Sequence, residues 1–266
     1  MNRTPKKLLR VRYMNQFFKK NLRKLLKFYQ RKKGIFRTTS IETYAFCNRK
    51  CDFCFNNERF PDRDKGIMEE SLYFKIIDEL ASINYAGRIS PHFYGEPLLD
   101  KRLTKFVAYA RQKCPNAYIR FGTNGDFLTR DLLAELVHCG VSRVFVTNYD
   151  DIKKENLTKL SQEFSGHVAL RSYKDMCVVN RAGAIFDKEN PNIDKPCLQP
   201  SSQLVVNWKG NVLLCCNDYY EQHIFGNVND KTTFEIWKSK EFKKYRKLLK
   251  KQGGRRQIDI CRNCDL

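Results

Sequence analysis

Three cysteines in the run CNRKCDFCFN, Cys47, Cys51 and Cys54, are spaced C-x-x-x-C-x-x-C. Three thiolates on one short loop suit three irons of a four-iron cluster and leave the fourth iron open to a small molecule. A structural zinc normally closes its shell with four protein ligands, so this spacing leans toward catalysis. A zinc loop that borrows His92 is the other chemistry the spacing permits. A second group, Cys197, Cys215, Cys261 and Cys264, ends in C-x-x-C and can saturate one further cluster or hold one structural zinc. Cys114, Cys139 and Cys177 read as small buried hydrophobes, and Cys216, on the other face of a strand from Cys215, as a spare.

Other polar residues fall where apolar runs end. In Phe93 to Asp100, Gly95 permits close backbone approach to a ligand, and Glu96, followed by Pro97, can accept a charge-assisted hydrogen bond from an ammonium. Taken alone, that stretch is also an ordinary turn, as is Thr123-Asn124-Gly125. Arg181, in Asn180-Arg181-Ala182-Gly183, precedes Cys197 by a short loop. A guanidinium does not readily lose its proton, so Arg181 suits anchoring of a hydroxyl or phosphate; a solvated loop arginine is the plainer alternative.

These stretches together resemble the radical S-adenosylmethionine (SAM) enzymes, whose signature is the cysteine triplet with an aromatic residue before its last cysteine, here Phe53. The resemblance implies a [4Fe-4S] cluster on Cys47, Cys51 and Cys54 whose open iron holds SAM. It places Gly95, Glu96 and Pro97 at SAM's amino group, and Thr123 and Asn124 near the nucleoside or substrate. Arg171 and Ser172 come within reach of SAM's carboxylate or ribose. The segment from Cys197 to Cys264 resembles the SPASM domain in its shortened twitch form, which implies one auxiliary [4Fe-4S] cluster on Cys197, Cys215, Cys261 and Cys264.

The cysteine order and spacing are similar to those of the twitch-bearing aminocyclitol dehydrogenases of aminoglycoside biosynthesis. That likeness implies reductive cleavage of SAM, hydrogen abstraction from a small polar sugar or cyclitol, and a second electron passed to the auxiliary cluster. Arg181 joins the cluster cysteines in the expected catalytic set, and a flavodoxin or ferredoxin is the expected reductase. A peptide-modifying enzyme is the alternative within the superfamily, and little sequence precedes the barrel to form a peptide-recognition domain.

The elements that must position these residues alternate between strand-like and helical patterns, as in a parallel α/β sheet with crossover helices. Expected strands are Thr38 to Tyr44, Ile89 to Tyr94, Ala117 to Gly122, Arg143 to Thr147 and Val168 to Ser172. Expected helices are Met68 to Ile83, with Leu72, Ile76, Ile77 and Leu80 on one face, and Thr129 to Cys139, capped by Thr129 and stopped by Gly140. At roughly 30 residues per unit, 36–185 has room for five or six units of a barrel. The resemblance implies a partial (β/α)6 barrel there, a twitch domain over 186–266 and a basic extension over 1–35. Leu204 to Trp208 and Val212 to Cys215 read as a hairpin turning at Lys209-Gly210, which would bring Cys215 beside Cys197.

The formal net charge is +21, and the first 41 residues hold 14 Lys or Arg and no acidic residue. Phe18, Leu22, Leu25 and Tyr29 recur there at helical spacing, so the segment suits an amphipathic helix on an anionic membrane surface or partner. It is too interrupted to span a bilayer. The 11 cysteines lack an apolar signal segment, which favours a reducing cytoplasm, with peripheral membrane contact through the basic helix. Lys238 to Arg256 is a second basic stretch, yet no recognised nucleic-acid module accompanies it. A metal-stapled nucleic-acid-binding protein is the rival from another class, and nucleic acid is not the expected partner.

Overall fold

The computed structural model describes residues 21–58, 60, 63–150, 154–176, 178–186, 190 and 192–266. Helix α1 covers residues 21–32. Five strands, β1 (Thr38–Ile41), β2 (Arg88–Ser90), β3 (Tyr118–Thr123), β4 (Arg143–Asn148) and β5 (Val168–Ser172), pair in parallel in chain order. They are joined through helices α2 (Glu70–Ala81), α3 (Leu103–Lys113), α4 (Arg130–His138) and α5 (Lys154–Glu163). Parallel strands need such crossovers because each chain must return to the same end of the sheet.

The helices bury one stripe each. Leu72, Tyr73, Ile76, Ile77 and Leu80 of α2 recur at three- and four-residue intervals and are all buried. They meet the outward side chains Ile41, Ile89, Ile119 and Val144 in one core. Helix α4 starts where the Thr129 hydroxyl accepts from the Leu132 N–H. The buried Cys114 lies in the same core, its thiol donating to the Ile77 carbonyl at 3.7 Å. Cys139 packs against that core, and Cys177 lies outside the described residues.

A sixth parallel strand comes from farther along the chain. After helix α6 (Gln199–Ser202), β6 (Gln203–Val206) lies along the free edge of β1, with Thr38 opposite Gln203 and Ile41 opposite Val206. Antiparallel β7 (Asn211–Leu213) and β8 (Ile224–Asn227) extend the sheet to the order β5-β4-β3-β2-β1-β6-β7-β8. The sheet therefore runs without a break from the barrel into the C-terminal segment. Helices α7 (Thr233–Lys238), α8 (Lys240–Leu249) and α9 (Asp259–Arg262) complete that segment.

Two expected strands are shorter than their apolar runs. The second stops at Ser90 because Pro91 has no N–H to donate to the ladder. The first leaves regular pairing after Ile41, although Glu42 still donates its N–H to Val206 and Tyr44 bridges Ile67. In the hairpin, Gly210 takes φ +90°, and the Asn207 side-chain oxygen accepts from the N–H groups of Lys209 and Asn211. The paired residues stop at Leu213, so Cys215 and Cys216 lie in the following turn and not on a strand.

In α1, Leu22, Leu25, Phe28 and Tyr29 are exposed. The buried Gln30 fastens this helix to the barrel: its amide donates to Ile83 and Asn84 carbonyls and its oxygen accepts from Ala86 N–H. Phe18 lies outside the described residues. Among the described residues no helix is long and apolar enough to cross a membrane. In the second basic stretch, Arg246 and Arg255 are buried, Arg246 over the Trp237 ring at 3.9 Å.

Candidate active site

The loop after β1 carries Cys47, Cys51 and Cys54. Its local turns are set by Cys54 N–H donating to the Cys51 carbonyl at 3.0 Å and by Arg49 N–H donating to the Cys47 sulfur at 3.5 Å. Burial raises the Cys47 thiol pKa, and nearby Glu96, Cys54 and Asp126 raise it further. Burial, then Cys54 and Cys47, push Cys51 to about 11. Three thiols this close on one loop suit a shared cationic centre, which coordinated iron supplies. The donor set fits a cluster held by three sulfurs.

Side chains between the cysteines clamp this loop. Arg49 donates twice to Asp126, at 2.6 Å each, and once to Asp150 at 2.8 Å. Asn48 donates to Asp126 at 2.7 Å and accepts from the Asn124 amide at 2.8 Å. These contacts tie the first strand's loop to those after β3 and β4. Phe53 stacks on Tyr173, with ring centroids 4.9 Å apart, and on Tyr149 at 5.9 Å.

The glycine, glutamate and proline after β2 serve that loop first. A Cβ on Gly95 would lie 2.0 Å from the Tyr44 carbonyl oxygen, so the close approach is to the cysteine loop's own backbone. Glu96 N–H donates to the Phe46 carbonyl at 2.9 Å. The buried Glu96 carboxylate accepts from Leu98 N–H at 3.0 Å, Thr123 hydroxyl at 2.6 Å and Asn124 N–H at 2.8 Å. Its four lone-pair sites leave room for one further donor. Burial still raises the Glu96 pKa against these bonds. Pro97 opens a short 3-10 turn that ends at Leu99. For Gly95→Ala, we expect a loss of about 1–3 kcal/mol in anaerobic urea unfolding, since neither backbone can yield cheaply.

Thr123 and Asn124 are buried and spent on Glu96 and Asn48. Arg171 donates to the Thr147 hydroxyl at 2.9 Å, and the Ser172 hydroxyl accepts from Lys174 N–H as the cap of a short turn. His92 takes the Gly122 N–H on Nε2 at 3.3 Å. It lines the cavity inside the partial barrel, where burial and then Arg120 and Arg88 push its pKa down to about 4. Among the described residues, no three His, Cys, Asp or Glu side chains are grouped to hold a single metal ion.

Cys197, Cys215, Cys261 and Cys264 line one small cavity. The β6–β7 hairpin turns Cys215 back toward Cys197, whose N–H donates to the Leu249 carbonyl at 2.7 Å. Asn217 donates its amide to the Cys264 sulfur at 3.3 Å. Burial holds Cys215 well above the usual thiol range and pushes Cys261 to about 12. Four thiols around one cavity, with the Arg255 guanidinium beside them, match the charge and softness of an iron–sulfur cluster.

This cavity shares a wall with the barrel's interior. Arg181 and Cys216 line the barrel cavity, while their chain neighbours Ala182 and Cys215 line the four-thiol cavity. Arg181 sits 5.7 Å over the Tyr94 ring, and the Tyr94 hydroxyl donates to the Cys216 carbonyl. Arg181, Ala182 and Gly183 all adopt positive φ, a run held by Asn180, whose N–H donates to Asp265 and whose amide donates to the Asn263 carbonyl.

Sequence reasoning missed the Asn48, Arg49, Asp126 and Asp150 clamp, and also Asn217 and Arg255. A polar pair packed between cluster cysteines, here Asn48-Arg49, was the available signal. It also missed the network of Glu42, Arg63 and Glu221, in which Arg63 pairs with both carboxylates, at 3.0 Å to Glu221.

Residues 41–147 match the Radical SAM superfamily, and residues 197–265 match SPASM, an iron-sulfur cluster-binding domain. An S-adenosyl-L-methionine-dependent 2-deoxy-scyllo-inosamine dehydrogenase of Niallia circulans is 33% identical over 235 residues, 87% of this chain and 93% of the relative. A GTP 3',8-cyclase of Helicobacter pylori is 30% identical over 125 residues, 44% of this chain and 36% of its own. The crystal structure of BtrN in complex with AdoMet and 2-DOIA superposes with a TM-score of 0.79 at 33% identity, covering 87% of this chain and 94% of that one. Native anSMEcpe with bound AdoMet, at TM-score 0.59 and 15% identity, covers 86% of this chain and 88% of that one and shares the fold alone. Both the triplet loop and the four-thiol cavity lie within these matches, and the chain belongs to the radical SAM superfamily, with an iron–sulfur-binding SPASM domain at its C-terminal end.

Proposed function

We propose that this chain oxidises a secondary alcohol of a small polar sugar or cyclitol to a ketone. When bound, SAM and the open-iron cluster supply hydrogen-atom abstraction, and one auxiliary [4Fe-4S] cluster on Cys197, Cys215, Cys261 and Cys264 supplies an acceptor for the remaining electron. The alcohol loses one hydrogen atom, one electron and one proton, which balances to the ketone. The observation that carries the reading is the shared wall: residues 181–182 and 215–216 each face the barrel cavity with one member and the four thiols with the other.

The protein's own groups supply placement. Glu96 keeps a lone-pair site for SAM's ammonium beside Gly95 and Pro97, and Thr123 and Asn124 fix that carboxylate. Phe53, stacked with Tyr149 and Tyr173, gives an apolar wall for the nucleoside, with Arg171 and Ser172 at the end of β5 for its polar edge. Arg181 anchors a substrate hydroxyl and, being always protonated, takes no proton. A flavodoxin or ferredoxin delivers the first electron, in the cytoplasm. Exposed Leu22, Leu25, Phe28 and Tyr29 among the cations of α1 support contact with an anionic membrane surface.

The test is anaerobic turnover of reconstituted, reduced protein with SAM and a panel of cyclitols and sugars, read by mass spectrometry. We expect 5′-deoxyadenosine together with a product lighter by two hydrogens. In Cys264→Ala, SAM cleavage should persist while the ketone falls by at least about a hundredfold, roughly 2.7 kcal/mol of barrier. Ketone formed at the wild-type rate by Cys264→Ala would remove the auxiliary cluster from the reaction. A substrate returned epimerised or cross-linked would replace dehydrogenation altogether.

A further inference from the structure

A parallel barrel usually fills its interior with branched apolar side chains. Here the interior side of the sheet carries Ser40, Arg88, Ser90, Arg120 and Arg171 around a cavity of about 490 Å3, which Arg181 closes. The alternate residues Ile41, Ile89, Ile119, Val144 and Val146 take the opposite side and pack in the apolar core. The arginines thus follow from the strand period of two: each lies two residues from a small or polar neighbour that leaves it space.

Among the described residues these cations meet no carboxylate. Among the described residues no Asp or Glu lines the cavity, and none pairs with Arg88, Arg120, Arg171 or Arg181. Arg49, Arg63, Arg102, Arg130 and Arg256 each meet a carboxylate within 3.0 Å, and Arg111, Arg246 and Arg255 donate to backbone carbonyls instead. Arg88 Nε is buried without a hydrogen-bond partner, and so is Nδ1 of His92, the nitrogen left to carry the proton when Nε2 accepts from Gly122. Burial lowers the proton affinity of Arg88, with Arg120 adding to it; burial likewise lowers that of Arg120, with Arg171 adding. Phe145, 4.6 Å from the Arg120 guanidinium, and Tyr94 under Arg181 take the flat faces and leave the N–H edges for a ligand.

Resting on the dehydrogenase reading above, we infer that the substrate is a phosphorylated sugar or cyclitol, its phosphoryl group held by Arg88 and Arg120 inside the barrel. Arg88 and Arg120 are half-buried like charges facing one cavity, and an anion between them relieves their repulsion. A phosphate monoester carries close to two negative charges and offers oxygens to two guanidinium forks, whereas a carboxylate answers one. The similar dehydrogenase is named for an inosamine, and an ammonium in this cavity would meet like charge. The substrate differs from that relative's in charge, while the position of oxidation stays between the two thiol sites.

Binding is measured anaerobically by calorimetry on the reconstituted holoenzyme with SAM, using myo-inositol 1-phosphate against myo-inositol and glucose 6-phosphate against glucose. At least one ester should bind tenfold or more tightly than its parent alcohol, and Arg120→Gln should abolish that preference. Arg120→Gln should also melt higher than wild type in the absence of ligand, because it relieves repulsion; a purely structural arginine would give the opposite shift. Lys27→Gln, in the cationic cavity toward α1 that Arg88 and Arg120 also line, should keep the preference if the ester sits inside the barrel and not on the α1 side. Equal affinity for ester and alcohol, a preference that survives Arg120→Gln or is lost in Lys27→Gln, or a lower melting point in Arg120→Gln would overturn the inference. The same preparations are assayed for 5′-deoxyadenosine: release without an ester preference overturns this inference alone, and no release overturns the reading beneath it.

Discussion

Cys51→Ala is expected to lower 5′-deoxyadenosine release by at least about a thousandfold, near 4 kcal/mol of barrier, while leaving the second cluster in place. Cys51 is one of three cysteines on its loop, and Cys47 and Cys54 are the thiols that act on it. The four C-terminal thiols gather in a different cavity, so iron should fall from about eight to about four atoms per chain, with absorbance near half. Cys114→Ala supplies the contrast. That thiol lies in the hydrophobic core and should change neither iron content nor SAM cleavage, at a modest cost in stability. Iron loss to zero in Cys51→Ala would mean that the two sites do not load independently.

The second large effect falls on Arg63. Its guanidinium lies between fully buried Glu42, at the end of β1, and Glu221, which also accepts from Asn207 at 2.7 Å. The Tyr219 ring covers it at 4.7 Å. Burial already raises the Glu42 pKa in spite of this partner. Arg63→Met strands that carboxylate and should cost about 3–5 kcal/mol, on the order of ten degrees in melting midpoint for a chain of this size. The double variant Glu42→Gln/Arg63→Met should recover most of the loss, since no fully buried carboxylate is then left unpaired and the partly exposed Glu221 keeps its bonds from Asn207 and Asn211. Anaerobic thermal melts of the holoprotein check both, and an Arg63→Met midpoint within two degrees of wild type would show that Glu42 is solvated.

The cysteines were legible because ligand chemistry fixes residue type and spacing together. Cys47, Cys51 and Cys54 must reach one cluster from one loop, and Cys261 and Cys264 need the same turn between them. The strands were legible as short apolar or alternating runs bounded by turn residues, and Val168 to Ser172 matches its observed bounds. Glu96 was legible as a carboxylate near the ligand, but the three protein donors that fix it come partly from Thr123 and Asn124, whose partners are 27 and 28 residues distant. Arg49 meets Asp126 and Asp150 across 77 and 101 residues, pairings with no local signature. The interior arginines were hidden for a different reason. Arg88-Ile89-Ser90 alternates like a half-buried strand, and only the curvature of the assembled sheet makes its polar side an interior.

The register of β6 on β1 acts as a ruler. The triplet follows the end of β1, whereas Cys197 and Cys215 gather near the start of β6, so the two thiol sets hang from opposite ends of a strand pair about 13 Å long. Electron tunnelling weakens exponentially with distance, and here that distance is metered by main-chain hydrogen bonds in a continuous sheet. Slippage by one residue would also turn Gln203 and Val205 to the opposite side, so the gap is protected by the same packing that protects the core.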